Sequence, residues 1–414
     1  MKLRIAIAAL LTFGVGLMPA HAESESAPTA AQREDDRRIL VMLKLGPTHY
    51  RPGADYGGSG YGDSIGQAAR RRLAERIASE HHLKLVDNWA MQIVGVDCVI
   101  MTVPDDRSLE SVTDELSTLP TVAWSQPLNK FHLESAPHDR TSNRPNDRLF
   151  RAQPAAIRWR LADLHRMATG RGVTIAVVDS RIDAAHPDLS GQIARVANFV
   201  DDNRRGAERH GTGIAGIIAA RTNNQVGIAG VAPGARVLGL RACWERSADE
   251  RAICDSISLA RALSYAIENH ANVINLSLSG PDDPLIETLI RIAMSRGSTV
   301  VVAVDEARAD NGFPATVPGV IPVADESLSS NRAGVYIAPG TAVPTTEPGG
   351  KWDLVDGSSY AAAHVSGLVA LVQQVNRANG RPNLAGSLGR SGPIDACAVL
   401  TRAASVTEDR CAQN

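Results

Sequence analysis

The chain reads as a doubly wound, mostly parallel α/β sheet preceded by a small ferredoxin-like α+β domain. Two observations carry this. From about Ile157 onward, uninterrupted apolar runs ("VTIAVVD", "ARVLGLRA", "NVINLSL", "STVVVAV") alternate with Ala-rich segments of helical length ("GTGIAGIIAAR", "SISLARALSYAIENH", "LIETLIRIAMSRG"). Strands apolar on both faces belong in a parallel sheet covered by helices on each side. Between Arg38 and His132 the elements instead come in the order βαββαβ, which is the ferredoxin-like order.

Taken in order, "ILVMLKL" (Ile39–Leu45) is a strand and "RPGADYGGSGYGD" a Gly/Tyr loop. Ser64 to Glu80 has helical periodicity, with Ile65, Ala68, Leu73 and Ile77 on one side. "LKLVDNWAMQIVGVDCVIMTVP" holds two strands, and "SLESVTDELSTL" is a helix with Ser108 as its cap. "TVAWSQPLNKFHL" is the last strand of this unit. The polar, proline-containing "ESAPHDRTSNRPNDR" then suits a linker.

The first residues have the pattern of a secretory signal. Lys2 and Arg4 form a basic end, Ile5 to Met18 an apolar stretch, and Ala20-His21-Ala22 a small-residue cleavage site. The apolar run is short for a membrane span and no second one follows. The expected organisation is a signal over 1–22, the ferredoxin-like domain over 23–135, a linker over 136–150, the α/β domain over 151–388 and a C-terminal extension over 389–414. The expected location is secreted or periplasmic, with no membrane partner once the signal is removed. Disulfides persist in such compartments. The short separations suggest Cys243–Cys254 and Cys397–Cys411 bridges, leaving Cys98 as a buried thiol, although sequence alone does not fix connectivity. Metal binding is the weaker reading of these cysteines, because no CxxC or spaced Cys/His set is present. A formal net charge of −2 and an aromatic content of 4% give no reason to expect nucleic acid.

Chemistry collects at element boundaries of the α/β part. Asp179 lies just past a buried strand, and no GxGxxG follows it, which argues against a dinucleotide site. His210 opens a helix, with Gly211 and Gly213 allowing close backbone approach. Ser358 and Ser359 stand side by side before another small-residue helix, where a plain serine cap is the simplest reading. One Asp, one His and one Ser in a single α/β domain also make the set for nucleophilic catalysis. A serine hydroxyl is a weak nucleophile until a histidine takes its proton, and that histidine needs a carboxylate to fix its tautomer.

These segments resemble the subtilisin-like serine proteases, the subtilases. The order Asp, His, Ser is theirs. "VVDSRIDAAHPDL", "HGTGIAGIIAA" and "NNQVGIAGVAPGARV" resemble the family's segments, and Gly357-Ser358-Ser359-Tyr360-Ala361 matches Gly-Thr-Ser-x-Ala. The resemblance covers about Asn146 to Asn376, and more weakly the first domain, which looks like a subtilase propeptide. It implies an exported endopeptidase with Asp179, His210 and Ser359 as its triad, polypeptide substrates, and its own propeptide as intramolecular inhibitor. Ser277, Leu278 and Ser279 in "VINLSLSGP" resemble the edge that pairs with substrate backbone. No cofactor is expected; calcium is allowed by the resemblance, with no site assigned and no metal residues named.

The pattern breaks in places. The family's oxyanion-hole Asn is missing from "VVVAVDEARADNGFPA". Asp305 or Glu306 falls at that position, with Asn311 as a substitute donor if the loop folds back. Arg181 replaces a Gly, Gly213 a His and Ala363 a Pro. The alternative these departures raise is a catalytically impaired pseudoprotease that binds peptides.

Overall fold

A computed structural model describes residues 36–44, 64–91, 93–133, 149–202, 206–245, 252–328, 332–379, 388–389 and 391–404. The expected signal, the Gly/Tyr loop, most of the linker and Cys411 lie outside them.

The first unit contains β1 (Arg38–Lys44), α1 (Ser64–Glu80), β2 (Lys84–Met91), β3 (Val96–Thr102), α2 (Leu109–Ser117) and β4 (Val122–Pro127). Its antiparallel sheet has the order β2-β3-β1-β4. Residues alternate between the faces, as the strand period of two requires. Ile39, Val41, Leu43, Val99 and Met101 pack under the helices, while Leu40, Met42, Val96, Cys98 and Ile100 face the second unit. Ser108 caps α2, its hydroxyl accepting the Ser111 N–H at 3.1 Å.

The last strand of this unit differs from the sequence reading. "TVAWSQPLNKFHL" is two strands in two sheets: β4 ends at Pro127, and β5 (Lys130–Leu133) leaves for the second unit. Proline has no N–H with which to extend the ladder. Two residues on, Asn129 exchanges hydrogen bonds with Ser256, donating its N–H to the hydroxyl at 3.0 Å and accepting the Ser256 N–H at 3.0 Å.

The second unit begins with the short helices α3 (Pro154–Arg158) and α4 (Leu161–Met167). Then come β6 (Thr174–Asp179), β7 (Ile193–Asn198), α5 (Arg209–Ala219), β8 (Arg236–Arg241), β9 (Cys243–Trp244), β10 (Ile253–Asp255) and α6 (Ser256–Glu268). They are followed by β11 (Val273–Leu276), β12 (Leu278–Ser279), α7 (Pro284–Ser295), β13 (Thr299–Ala303), β14 (Ile321–Ala324) and β15 (Tyr336–Ile337). The hairpin β16 (Val343–Glu347) and β17 (Lys351–Val355), α8 (Ser358–Ala378), β18 (Gly392–Pro393) and α9 (Ala396–Ala404) complete it.

Eight strands form one parallel sheet, β18-β15-β14-β13-β11-β6-β8-β7. The apolar runs look uninterrupted because both faces are covered. Ile175 and Val177 join a core with Ile214 of α5 and Leu368 of α8, whereas Ala176 and Val178 join one with Leu263 of α6 and Ile290 of α7. Each such large aliphatic side chain stabilises the fold by about 1.5–3 kcal/mol. The chain builds β7 and β8 on one side of β6, then returns to place β11, β13 and β14 on the other. In open α/β sheets, sites form at the carboxyl ends of the strands at such a reversal. Asp179 ends β6, and Ser277 follows β11.

The first unit sits on α6 and α7 through its open sheet face. Arg261 of α6 pairs with Asp87 at 3.3 Å and lies over the Trp89 ring. Asp283 caps α7 by accepting the Leu285 and Ile286 N–H groups, and also accepts from Gln126 and Ser256. Cys243 and Cys254 are bridged, with Cα atoms 4.1 Å apart, and Cys98 is a free thiol whose burial pushes it up to about 12. The expected partner of Cys397, Cys411, lies outside the described residues. Among the described residues no helix is long and apolar enough to cross a membrane.

Candidate active site

The histidine side of the site is built where α5 presses on the end of β6. A Cβ at Gly211 would lie 2.3 Å from the Ser180 carbonyl oxygen, so only glycine lets the helix start so close. That approach brings His210 Nδ1 to 2.9 and 3.0 Å from the two Asp179 oxygens. Both residues are buried. Nδ1 therefore carries the proton it donates to the carboxylate, leaving the lone pair on Nε2. His210 Nε2 is buried and has no hydrogen-bond partner among the described residues. An unsatisfied buried acceptor costs about 1–3 kcal/mol and calls for a reason.

The serine side is the first turn of α8. Gly357 precedes it at φ 129°, a conformation that suits glycine. Neither serine hydroxyl caps the helix. Ser358 Oγ donates to the Val304 carbonyl at 2.9 Å, and Ser359 Oγ to the Ser277 carbonyl at 3.0 Å. Ser277 Oγ donates back to the Ser359 carbonyl at 3.0 Å and accepts from Asn275 Nδ2 at 2.9 Å. Asn275 Oδ1 in turn accepts from Ser366 Oγ at 2.8 Å. This reciprocal buried network ties the end of β11 to the start of α8. The ring of Tyr360, next to Ser359, lies 5.4 Å from the imidazole centroid and joins the two sides. Burial pushes the Tyr360 hydroxyl well above its usual range, with the Asp179 charge adding to it.

Of the remaining sequence candidates, Leu278 and Ser279 form β12 and pair antiparallel with Leu133 and His132 of β5. Strand β5 pairs on its other side with β10. Phe131 of β5 is fully buried against Gly280 and stacks at a tilt on Phe313, centroids 6.0 Å apart. Asp305 follows Val304, the partner of Ser358, so its loop starts beside the serine turn. Its Oδ1 accepts the Ala307 N–H at 3.0 Å. Asn311 closes the same loop, its carbonyl accepting the Asp305 N–H at 2.8 Å and its Oδ1 accepting from Arg332 at 3.1 Å. Glu306 is pushed up by burial and by the nearby charge of Asp325. Gly213 is explained by space: a Cβ there would meet Thr345 Cγ2 at 3.0 Å.

Sequence reasoning missed four residues around His210. Glu245 accepts the His210 and Arg209 N–H groups. Glu208 holds the fully charged, buried Arg241 in a bidentate pair, and Asp202 takes its other edge. The available signal was position, since Arg241 ends β8 and Glu245 follows β9 on the site's side of the sheet. Among the described residues no group of three or more His, Cys, Asp and Glu is arranged to hold a metal ion.

The comparisons with known proteins place this fold among the serine peptidases. The subtilase family model matches residues 170–392, just over half of the chain, and the chain belongs to that family. It is 32% identical over 287 residues to a thermophilic serine proteinase of Bacillus sp. (strain AK1), covering 66% of this chain and 68% of that one. It is 35% identical over 231 residues to an intracellular serine protease of Paenibacillus polymyxa, covering 51% and 69%. Among solved structures it is similar to fervidolysin of Fervidobacterium pennivorans, described as a keratinolytic enzyme related to subtilisin. That match has a TM-score of 0.66 at 22% identity; it covers 88% of this chain but only 60% of the fervidolysin chain, and shows the fold. The chain is a serine-type endopeptidase.

Proposed function

We propose that the protein is an exported endopeptidase in which Ser359 attacks the scissile carbonyl, His210 is base then acid, and Asp179 orients His210. The observation that carries this is the buried Asp179–His210 pair, its Nε2 without a partner among the described residues and its ring 5.4 Å from that of Tyr360, the neighbour of Ser359. In the reaction, Ser359 Oγ leaves the Ser277 carbonyl and gives its proton to Nε2. The oxygen bonds to the substrate carbonyl carbon, and the charge that develops on the carbonyl oxygen faces the free N–H of Ser359 at the helix start. His210 then protonates the leaving amine, and water hydrolyses the acyl-enzyme. Asp305 is the candidate for the second donor, a role its carboxyl takes only when it carries a proton, with Asn311 bracing its loop.

The first domain acts as a propeptide in this reading. Its strand β5 occupies the edge of β12, where a substrate backbone adds as a strand. Removal of that strand opens the edge. The signal-like first 22 residues support export. The test is hydrolysis of a denatured polypeptide by the purified protein. The wild type cleaves it and sheds its first domain, while Ser359→Ala does neither; a wild type without turnover across the whole pH range contradicts the proposal.

A further inference from the structure

The Asp-His-Ser logic does not call for Glu245, yet Glu245 holds the turn that carries His210. The first N–H groups of a helix have no partner within it and attract negative charge. In α5, Glu245 Oε2 accepts the Arg209 N–H at 3.0 Å, and Oε1 the His210 N–H at 2.8 Å. Ser180, the neighbour of Asp179, accepts the Gly211 N–H at 3.0 Å, and its own hydroxyl reaches Glu245 Oε1 at 3.4 Å. Three successive N–H groups around the imidazole are thus taken by one carboxylate and one hydroxyl.

Glu245 is itself held. It follows β9, which the Cys243–Cys254 bridge fastens to β10. Its N–H reaches Glu208 Oε1 at 3.4 Å. The charged groups around it are Asp179 from the end of β6; Glu208, Arg209 and His210 from the start of α5; and Arg241, with its partner Asp202, from β8. Asp179 serves Nδ1, Glu208 is paired with Arg241, and the Arg209 guanidinium reaches Glu347 and Asp353 on the hairpin. Burial pushes the Glu245 carboxyl up, and the two N–H groups oppose that.

Resting on the proposed role of His210, we propose that Glu245 is a positioning residue for it. It fixes the imidazole through the backbone, and as a second carboxylate it favours the imidazolium that forms when the serine proton moves. A group acting this way changes kcat and leaves substrate binding alone. Glu245→Ala lowers kcat by roughly 10- to 100-fold, the scale of a small misplacement of a reacting group, with KM within about twofold. Glu245→Gln keeps an acceptor and the shape but loses the charge. It recovers part of kcat, and the acid limb of its kcat/KM profile moves to lower pH, which a purely structural cap does not produce.

The same charge effect is read without turnover by NMR titration of the His210 ring in the Ser359→Ala background, where Glu245→Gln shifts the midpoint downward. Turnover with an unshifted His210 titration, or with Glu245→Gln indistinguishable from wild type, overturns the inference. A shifted titration in a protein whose wild type shows no turnover overturns the peptidase reading and leaves the role of Glu245 standing.

Discussion

The two sides of the site are built differently. Around His210 each nearby carboxylate has a fixed partner. Asp179 takes Nδ1–H, Glu245 takes two N–H groups, and Glu208 takes Arg241. Around Ser359 the hydroxyl rests on the Ser277 carbonyl, and the adjoining loop carries Asp305 and Glu306 where an amide is expected. In the proposed mechanism His210 is held in place before substrate arrives, whereas Ser359 has to exchange its hydrogen bond to the Ser277 carbonyl for one to His210. The difference teaches that, in the proposed mechanism, an intact Asp–His pair is not enough: the oxyanion side carries the donors that stabilise charge existing only in the transition state.

Breaking either side completely removes activity. Ser359→Ala and His210→Ala are each expected to lower kcat by about 10⁶-fold, and their combination by little more, because the residues act as a unit. Additive losses, measured on one peptide substrate, contradict the triad.

The rigidity of the histidine side is tested by Arg241→Met. It leaves Glu208 and Asp202 without their cation at a guanidinium that is 2% exposed. Removing one partner of a buried ion pair is expected to destabilise the fold by about 3 kcal/mol or more. Urea denaturation measures it, and an unchanged midpoint shows that the cluster is not what stiffens this side.

The serine side has its own buried group. His364 Nδ1 bonds the Tyr360 carbonyl at 2.9 Å, and its ring meets Trp159 edge-on. Burial lowers its pKa from 6.5 to about 4. The unfolded chain therefore binds a proton here that the folded chain excludes. Its contribution is fully present above pH 6.5 and is lost as pH falls toward 4, by up to about 3 kcal/mol. Stability measured by urea midpoints across that window is expected to fall less steeply in His364→Asn; parallel curves contradict the assignment.

The smallest expected effect sharpens the comparison most. Asp305→Asn places an amide donor in the loop beside Ser358, and kcat is expected to rise by up to about 100-fold, the lower end of what one oxyanion donor contributes. If Asp305→Asn changes nothing while Asn311→Ala abolishes turnover, the donor is Asn311.

Much of this was legible in the sequence. The candidate positions Asp179, His210 and Ser359 stood out because each lies at an element boundary in a motif of fixed spacing, and the parallel strands because both faces are apolar. The split at Pro127 was read through, since β4 and β5 share the same strand-like composition and the contacts of Asn129 with Ser256 and Asp283 that turn the chain away come from distant residues. Glu245 was also hidden. Its two partners lie 35 and 36 residues away, and no local pattern records a carboxylate accepting from a distant helix start.

The central claim is that Ser359 is a nucleophile activated by His210. The most direct measurement is labelling of the purified protein with a fluorophosphonate, followed by peptide mapping. The account predicts one adduct, on Ser359, formed by the wild type and absent from His210→Ala. An unlabelled wild type beside a labelled active subtilase, or an adduct on Ser358, contradicts it.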